Sequence, residues 1–159
     1  MNEENNIKID PLEYLNEKTE IQYTLKRNQS NALIEANKAM IMTYYEIGTL
    51  INNRKEFGDK YIERLADDLK QYGKGYTIEN LKYMARFASI FTKDEMEQHS
   101  ISIVPWDFIL TIIINCKDHD EILWYIVQTI KNGWSKAILM QNIVLNRSNG
   151  WYFMLKEIY

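Results

Sequence analysis

Several residue types that interrupt helices or crosslink small proteins are scarce in this chain of 159 residues. Cys116 is the only cysteine, which excludes an intramolecular disulfide framework and a cysteine-based metal cluster. With only two prolines and six glycines, long helices are favoured. No run approaches the roughly 20 apolar residues that a membrane-spanning helix needs, and no basic-then-apolar leader opens the sequence. We therefore expect a cytoplasmic protein that has no membrane partner.

Apolar residues are plentiful, and they recur mostly at the three- and four-residue spacing of helices. Hydrophobic residues make up 46 % of the chain and aromatic residues 13 %, which is enough for a buried core. At this length a single domain is expected. We predict an all-α fold, a compact bundle of about six helices. Residues 1–18 are predicted to be a polar leader, residues 19–147 the helical domain and residues 148–159 a tail.

The net charge of −3 is unevenly distributed along the chain. Residues 1–20 carry six acidic and two basic side chains, so the remainder is close to neutral. Between Arg54 and Lys93, nine basic residues outnumber six acidic ones. This local excess is modest, and it permits a phosphate-facing surface without requiring one.

The first long helix is predicted from about Thr19 to Lys55, since Pro11 should break any earlier one. Its expected inward face steps through Leu33, Ala36, Met40, Tyr44, Ile47 and Ile51. An intramolecular bundle is favoured over a dimer seam because charged residues do not flank a strict heptad. Gly48 in mid-helix suggests a close contact with another helix.

The stretch from Asp59 to Phe91 predicts two helices joined by a glycine turn. Gly73 and Gly75 end the first helix, and Thr77 can cap the second. The second helix has an apolar inner face and a basic outer face. Such a pair is typical of a helix-turn-helix unit. An ordinary hairpin of two packed helices is the alternative.

Four further segments complete the prediction. Residues 101–104 are read as a short strand or extended chain, and residues 106–115 as an apolar helix, with a buried strand as the alternative. Asp118 or Asp120 caps the next helix, which Gly133 ends. Ser135 caps the last one.

Residues that could carry out catalysis are few. The triplet Asp68-Leu-Lys70 resembles part of a nuclease site, but it lies inside a predicted helix. His99 and His119 stand without metal-ligand spacing, so solvated histidines are favoured. Cys116 is interpreted as a buried residue at a helix end rather than a reactive thiol. We predict no cofactor, no metal site and no enzymatic activity.

Five motifs occur in order along the chain and together resemble the YhcG-type N-terminal domain. They are YYEIGTLI (44–51), LADDL (65–69), GYTIENLKYMARF (75–87), VPW (104–106) and NGWSKAIL (132–139). The resemblance implies a helical, helix-turn-helix-like, DNA-binding domain. Longer family members attach it to a C-terminal nuclease domain of the PD-(D/E)XK type, which we expect this chain to lack. The chain also departs from the family pattern at Asp107 and Phe108, where a small residue and a histidine are common.

With this resemblance, the leading hypothesis is a non-catalytic domain that binds double-stranded DNA and is the targeting half of a nuclease system. Lys74 and the backbone at Thr77 would contact phosphates. The side chains predicted to reach the major groove are those of Asn80, Lys82, Tyr83 and Arg86. The alternative is a protein-interaction or oligomerisation domain, as a homodimer or beside a separate nuclease subunit.

Overall fold

Seven α-helices and two short 3-10 helices, with no strand, make up the part of the chain that this computed structural model describes, residues 8–54 and 58–149. The α-helices are α1 (Pro11–Asn52), α2 (Asp59–Leu69), α3 (Ile78–Ile90), α4 (Lys93–Gln98), α5 (Trp106–Asn115), α6 (His119–Asn132) and α7 (Lys136–Asn149). The 3-10 helices are Lys70–Tyr72 and Ile101–Ile103. The predicted all-α fold is confirmed. The short helix α4 is the addition to the expected set.

Residues 1–36 form one compact unit of the chain. Its described part is the beginning of α1, which starts at Pro11 rather than near Thr19. Proline suits the first turn of a helix, because that turn has no intrahelical acceptor for its N–H. Asp10 adds a cap, since its Oδ1 accepts a hydrogen bond from the backbone N of Leu12 at 3.1 Å. Pro11 therefore begins the helix, and the prediction that it breaks one is wrong.

Residues 37–159 form the second unit, and in it the remainder of α1 contributes to a shared hydrophobic core. Its buried residues are Ile41, Tyr44, Tyr45, Gly48 and Ile51. The predicted inward face was partly wrong, because Leu33, Ala36 and Met40 are exposed. Apolar residues occur on more than one side of this helix, so spacing alone could not select the buried side.

Helices α1 and α3 approach each other closely at Gly48, as predicted. A Cβ atom built on Gly48 would lie 2.0 Å from the backbone oxygen of Met84, so only glycine fits there. Side chains of α1 also donate hydrogen bonds to backbone carbonyls of the α3 segment. The Asn52 Nδ2 donates to the Ala85 oxygen at 2.6 Å, and the Tyr45 hydroxyl to the Phe91 oxygen at 2.7 Å.

The helix ends predicted in the C-terminal half are confirmed. The Asp118 carboxylate accepts from two backbone N–H groups of the first turn of α6, and Gly133 ends α6 in the left-handed conformation. The Ser135 Oγ accepts from the Ile138 N at 3.2 Å and caps α7. Residues 106–115 are helical, so the strand alternative is wrong. The predicted end of the first helix at Lys55 and the predicted tail at residues 148–159 fall wholly or partly outside the described residues.

The segment before α5 is a 3-10 helix (Ile101–Ile103) rather than a strand. The Asn37 side chain explains why it curls. Its Nδ2 donates to the backbone oxygens of Ser102 and Ile103, each at 3.1 Å. Carbonyls that converge on one donor cannot point alternately to the two sides, as they do in a strand.

Candidate nucleic-acid interface

The predicted pair of helices exists as α2 and α3, but its connection differs from a helix-turn-helix. Residues 70–77 link the two helices, whereas a helix-turn-helix uses about three or four residues. The link contains the 3-10 helix Lys70–Tyr72 and then Gly73, whose φ of +149° favours glycine. Gly75 is needed for space, because an added Cβ would lie 2.5 Å from the Tyr44 hydroxyl oxygen.

Thr77 and Lys74, the predicted phosphate contacts, lie at the start of α3. Thr77 is its N-cap, and its Oγ1 accepts a hydrogen bond from the Asn80 N at 3.1 Å. Lys74 is exposed. Both residues line a cleft of about 400 Å³ whose other walls include Glu63 and Asp67. Lys70 lines the cleft as well, so two carboxylates face two ammonium groups and the cleft offers a phosphate no net positive charge.

Asn80, a predicted groove contact, is instead a half-buried link between three segments of the fold. Its Nδ2 donates to the Gly75 oxygen at 2.7 Å. Its Oδ1 accepts from the Trp106 Nε1 at 2.9 Å. The amide is therefore engaged by the fold at both ends. If the Asn80 amide turned to contact a base edge, the Trp106 indole N–H and the Gly75 carbonyl would lose these hydrogen bonds.

Arg86 is likewise engaged within the fold. Its Nη2 donates to the backbone oxygen of Cys116 at 2.9 Å, at the end of α5. From α7, the Arg147 Nη2 donates to the neighbouring Asn115 oxygen at 3.1 Å. A helix C-terminus presents unpaired carbonyls and a partial negative charge, which arginine satisfies. Here the arginine that was predicted to reach the major groove caps another helix.

Lys82 and Tyr83 complete the predicted set. Lys82 is exposed, and its Nζ lies 3.3 Å from the Asp59 Oδ1. Tyr83 is half-buried and packs against the core. From Asp59 to Phe91 the sequence has six basic and five acidic residues. Because Arg86 points to the end of α5, the remaining charges balance at five each, so this unit presents no net positive charge.

Hallmark residues of three of the five motifs meet inside the fold. Tyr44 packs edge-on against Trp106, with ring centroids 5.0 Å apart. Asn80 joins that tryptophan to Gly75, as described above, and Gly48 fits against α3. Three motifs that are distant in sequence thus form one cluster. Their residue types are explained by packing and hydrogen bonding, without reference to DNA.

The catalytic candidates are dispersed. Lys70 pairs with Asp67, its Nζ lying 2.9 Å from that Oδ1, rather than with Asp68 of the nuclease-like triplet. Among the described residues, no group of three or more histidine, cysteine or acidic side chains could hold a metal ion. Cys116 is buried, and burial raises the pKa of its thiol to about 12, with a further contribution from Glu121. Such a thiol is unreactive at neutral pH.

His119 has partners that sequence reasoning missed. Its Nδ1 lies 2.9 Å from the Asp120 Oδ1, and its Nε2 lies 2.5 Å from the Glu95 Oε2. The hydrogen bond to Asp120, and then that to Glu95, raise the pKa of His119 against the effect of partial burial. Burial opposes ionisation of Glu95, but hydrogen bonds from His119 and Thr92 leave its pKa lowered. Glu95 is 24 residues away in sequence, so no local pattern signals this pairing.

Comparison with known proteins identifies the family. The model of the DUF1016 N-terminal domain matches residues 20–147. The chain belongs to this family. The match confirms the resemblance to the YhcG-type N-terminal domain. No curated protein and no solved structure shows significant similarity to the chain. Within the described part of this DUF1016 N-terminal domain, no helix is long and apolar enough to cross a membrane.

Proposed function

We propose that this DUF1016 N-terminal domain is a non-catalytic protein-interaction and oligomerisation domain whose contact surface is the first part of α1, residues 11–36. The observation that supports it is the exposure of large apolar side chains along that segment. Ile21 is 61 % exposed, Leu25 56 % and Tyr14 52 %. Single exposed apolar residues are ordinary, but a row of them is typical of an interaction surface.

Helix energetics favour the same proposal. Most helical stability in proteins comes from packing of an apolar face rather than from intrinsic propensity. Every described side chain from residue 8 to residue 36 is exposed. The hydroxyls of Thr19 and Thr24 donate hydrogen bonds back to the same helix, to the Leu15 oxygen at 2.8 Å and the Glu20 oxygen at 2.9 Å. A partner that covers the apolar residues would supply the stabilisation that the helix lacks.

DNA binding through α3 remains a prediction, and the family resemblance is its main support. Lys74 and Lys82 are the exposed cations of the predicted set. Asn80 and Arg86 are engaged in the fold, and the outward charges of the α2–α3 unit balance. These features favour the protein-interaction proposal over DNA binding.

Sedimentation velocity of the full chain over a wide range of concentrations tests the proposal. We expect the weight-average mass to rise with concentration from monomer toward a higher oligomer. The double variant Ile21→Gln, Leu25→Gln should remain monomeric, since glutamine keeps helix propensity but removes apolar contact area. The matched control is Leu50→Gln, at a residue that is 70 % exposed on the same helix but outside residues 11–36. It should associate like the wild type.

A titration with duplex DNA at low and moderate salt tests the alternative hypothesis, DNA binding. Phosphate contacts release counterions, so the logarithm of affinity should fall with log salt at a slope of about −0.9 per contact. The proposal would be overturned by a chain that is monomeric at every concentration, and duplex binding with that salt dependence would then support DNA binding instead. Loss of such binding in the Lys74→Ala, Lys82→Ala variant would then assign the contact to α3.

A further inference from the structure

One face of α1 carries six residues whose spacing alternates between four and three, as in a two-helix coiled coil. We call these residues the α1 stripe: Tyr14, Lys18, Ile21, Leu25, Asn28 and Ala32. We infer that the partner of this face is a second copy of the chain, bound antiparallel through the α1 stripe. The inference rests on the proposed function and adds the partner and the register.

The composition of the α1 stripe selects an antiparallel register. With position 23 at the centre, residue pairs whose numbers add up to 46 face each other. Tyr14 then lies opposite Ala32, which pairs a large residue with a small one. The two central layers each place Ile21 against Leu25 of the other copy.

Polar residues of the α1 stripe also match in this register. Lys18 lies opposite Asn28, so the two polar positions share a layer instead of disrupting apolar ones. A parallel pair would place Lys18 against its own copy, and like charges at a core position are unfavourable. It would also stack Tyr14 on itself and Ala32 on itself, which gives one overfilled layer and one underfilled layer.

Charge along α1 favours the same orientation. Residues 10–20 contain four acidic and one basic side chain, a net charge of −3. Residues 26–36 contain two basic and one acidic side chain, a net charge of +1. The antiparallel register brings these two segments of opposite sign together. A parallel pair would set −3 beside −3, so charge complementarity selects the antiparallel pair.

The opposite side of this helix is apolar as well but is less suited to self-pairing. Its large residues are Leu12, Leu15, Tyr23, Leu33 and Ile34, with Thr19, Lys26 and Ser30 between them. The Tyr23 ring is partly occupied, since the Arg27 guanidinium carbon lies 5.8 Å from its centroid. The polar residues interrupt the middle of that face, whereas the middle of the α1 stripe is apolar.

Cysteine crosslinking of full-length variants tests the orientation. Tyr14→Cys and Ala32→Cys are each treated with copper-phenanthroline, alone and as an equimolar mixture. At 1.5 Å of rise per residue, the two copies of position 14 would lie about 27 Å apart in the antiparallel register. A disulfide requires Cα atoms within about 7 Å. We expect a disulfide-linked dimer in the mixture and only background in each variant alone.

Two controls fix the background of this experiment. The wild type should not crosslink, because Cys116 is buried. A mixture of Tyr14→Cys with Leu33→Cys should give background only, since Leu33 neighbours Ala32 but points about 100° away from it around the helix axis. Crosslinking of each variant alone would indicate a parallel pair and overturn the register. Equal yields in the mixtures that contain Ala32→Cys and Leu33→Cys would also overturn the register. Absence of crosslinks from a chain that sedimentation finds oligomeric would overturn the register alone, whereas a monomeric chain would overturn the proposed function.

Discussion

The two parts of helix α1 differ in how their side chains are used. In residues 37–52, one side of the helix is buried, and the side chains of Asn37, Tyr45 and Asn52 donate hydrogen bonds to distant backbone carbonyls. In residues 11–36 every side chain is exposed, and threonine hydroxyls bond back to their own helix. A continuous helix can therefore be committed to the fold along one part and available for a partner along the other. Substitutions in the buried part should therefore change the free energy of unfolding, whereas substitutions of apolar residues in residues 11–36 should change self-association.

The largest expected effect follows Gly48→Ala in the buried part. In an unconstrained helix alanine would gain about 1 kcal/mol over glycine. Here its Cβ would lie 2.0 Å from the Met84 backbone oxygen, which no side-chain rotation relieves. We expect the clash to dominate and the free energy of unfolding to fall by about 3 kcal/mol, as for severe overpacking. Urea denaturation followed by circular dichroism measures it.

Gly58→Ala is the matched control for that experiment. Apart from its chain neighbours, no atom of the described residues lies within 4 Å of a Cβ built on Gly58, and its φ of −104° suits any residue. We expect a change of no more than about 0.5 kcal/mol. Equal destabilisation by the two variants would contradict the close approach of α1 and α3.

A smaller loss is expected for Asn80→Ala. The variant leaves the Trp106 Nε1 and the Gly75 oxygen without their hydrogen bonds, which should cost about 1–3 kcal/mol of unfolding free energy. Lys82→Ala breaks only an exposed ion pair with Asp59, so its stability should stay within about 0.5 kcal/mol of the wild type. The same denaturation experiment compares the two variants. If Asn80→Ala were as stable as Lys82→Ala, Asn80 would not have the structural role assigned to it.

The pH dependence of stability gives the smallest predicted effect. Because the pKa of His119 is raised in the folded protein, its contribution is complete below its unfolded pKa of about 6.5 and lost as pH rises through the folded value. We expect His119→Gln to reduce stability more at pH 5.5 than at pH 8.5. Urea denaturation of both proteins at the two pH values measures the difference. A larger deficit at the higher pH would contradict the pairing with Asp120 and Glu95.

Much of the fold could be predicted from sequence because its signals are local. Thr77, Asp118, Gly133 and Ser135 act at helix ends through backbone groups a few residues away. The face of α1 could not be predicted in the same way. Burial depends on which neighbours a helix meets, and residues 11–36 have apolar side chains on two sides, so spacing does not decide it.

For a related reason, the sequence could not show that two of the predicted DNA contacts are engaged within the fold. Asn80 and Arg86 have the residue types and the helical spacing of base-reading side chains. Their partners, Trp106 and the Cys116 carbonyl, lie 26 and 30 residues further along the chain. A pattern confined to one helix cannot indicate such distant partners. His119 is a further case, since its partner Glu95 lies 24 residues away and no local pattern indicated the pairing.

Hydrogen exchange of the full chain at low and high protein concentration tests the contrast between the two parts of α1 most directly. Amides of residues 37–52 should be protected to the same extent at both concentrations, because their part of the helix packs within its own unit. Amides of residues 11–36 should exchange faster at low concentration and become protected as the concentration rises. Exchange in residues 11–36 that is independent of concentration, together with protection of α3 on addition of duplex DNA, would contradict the account.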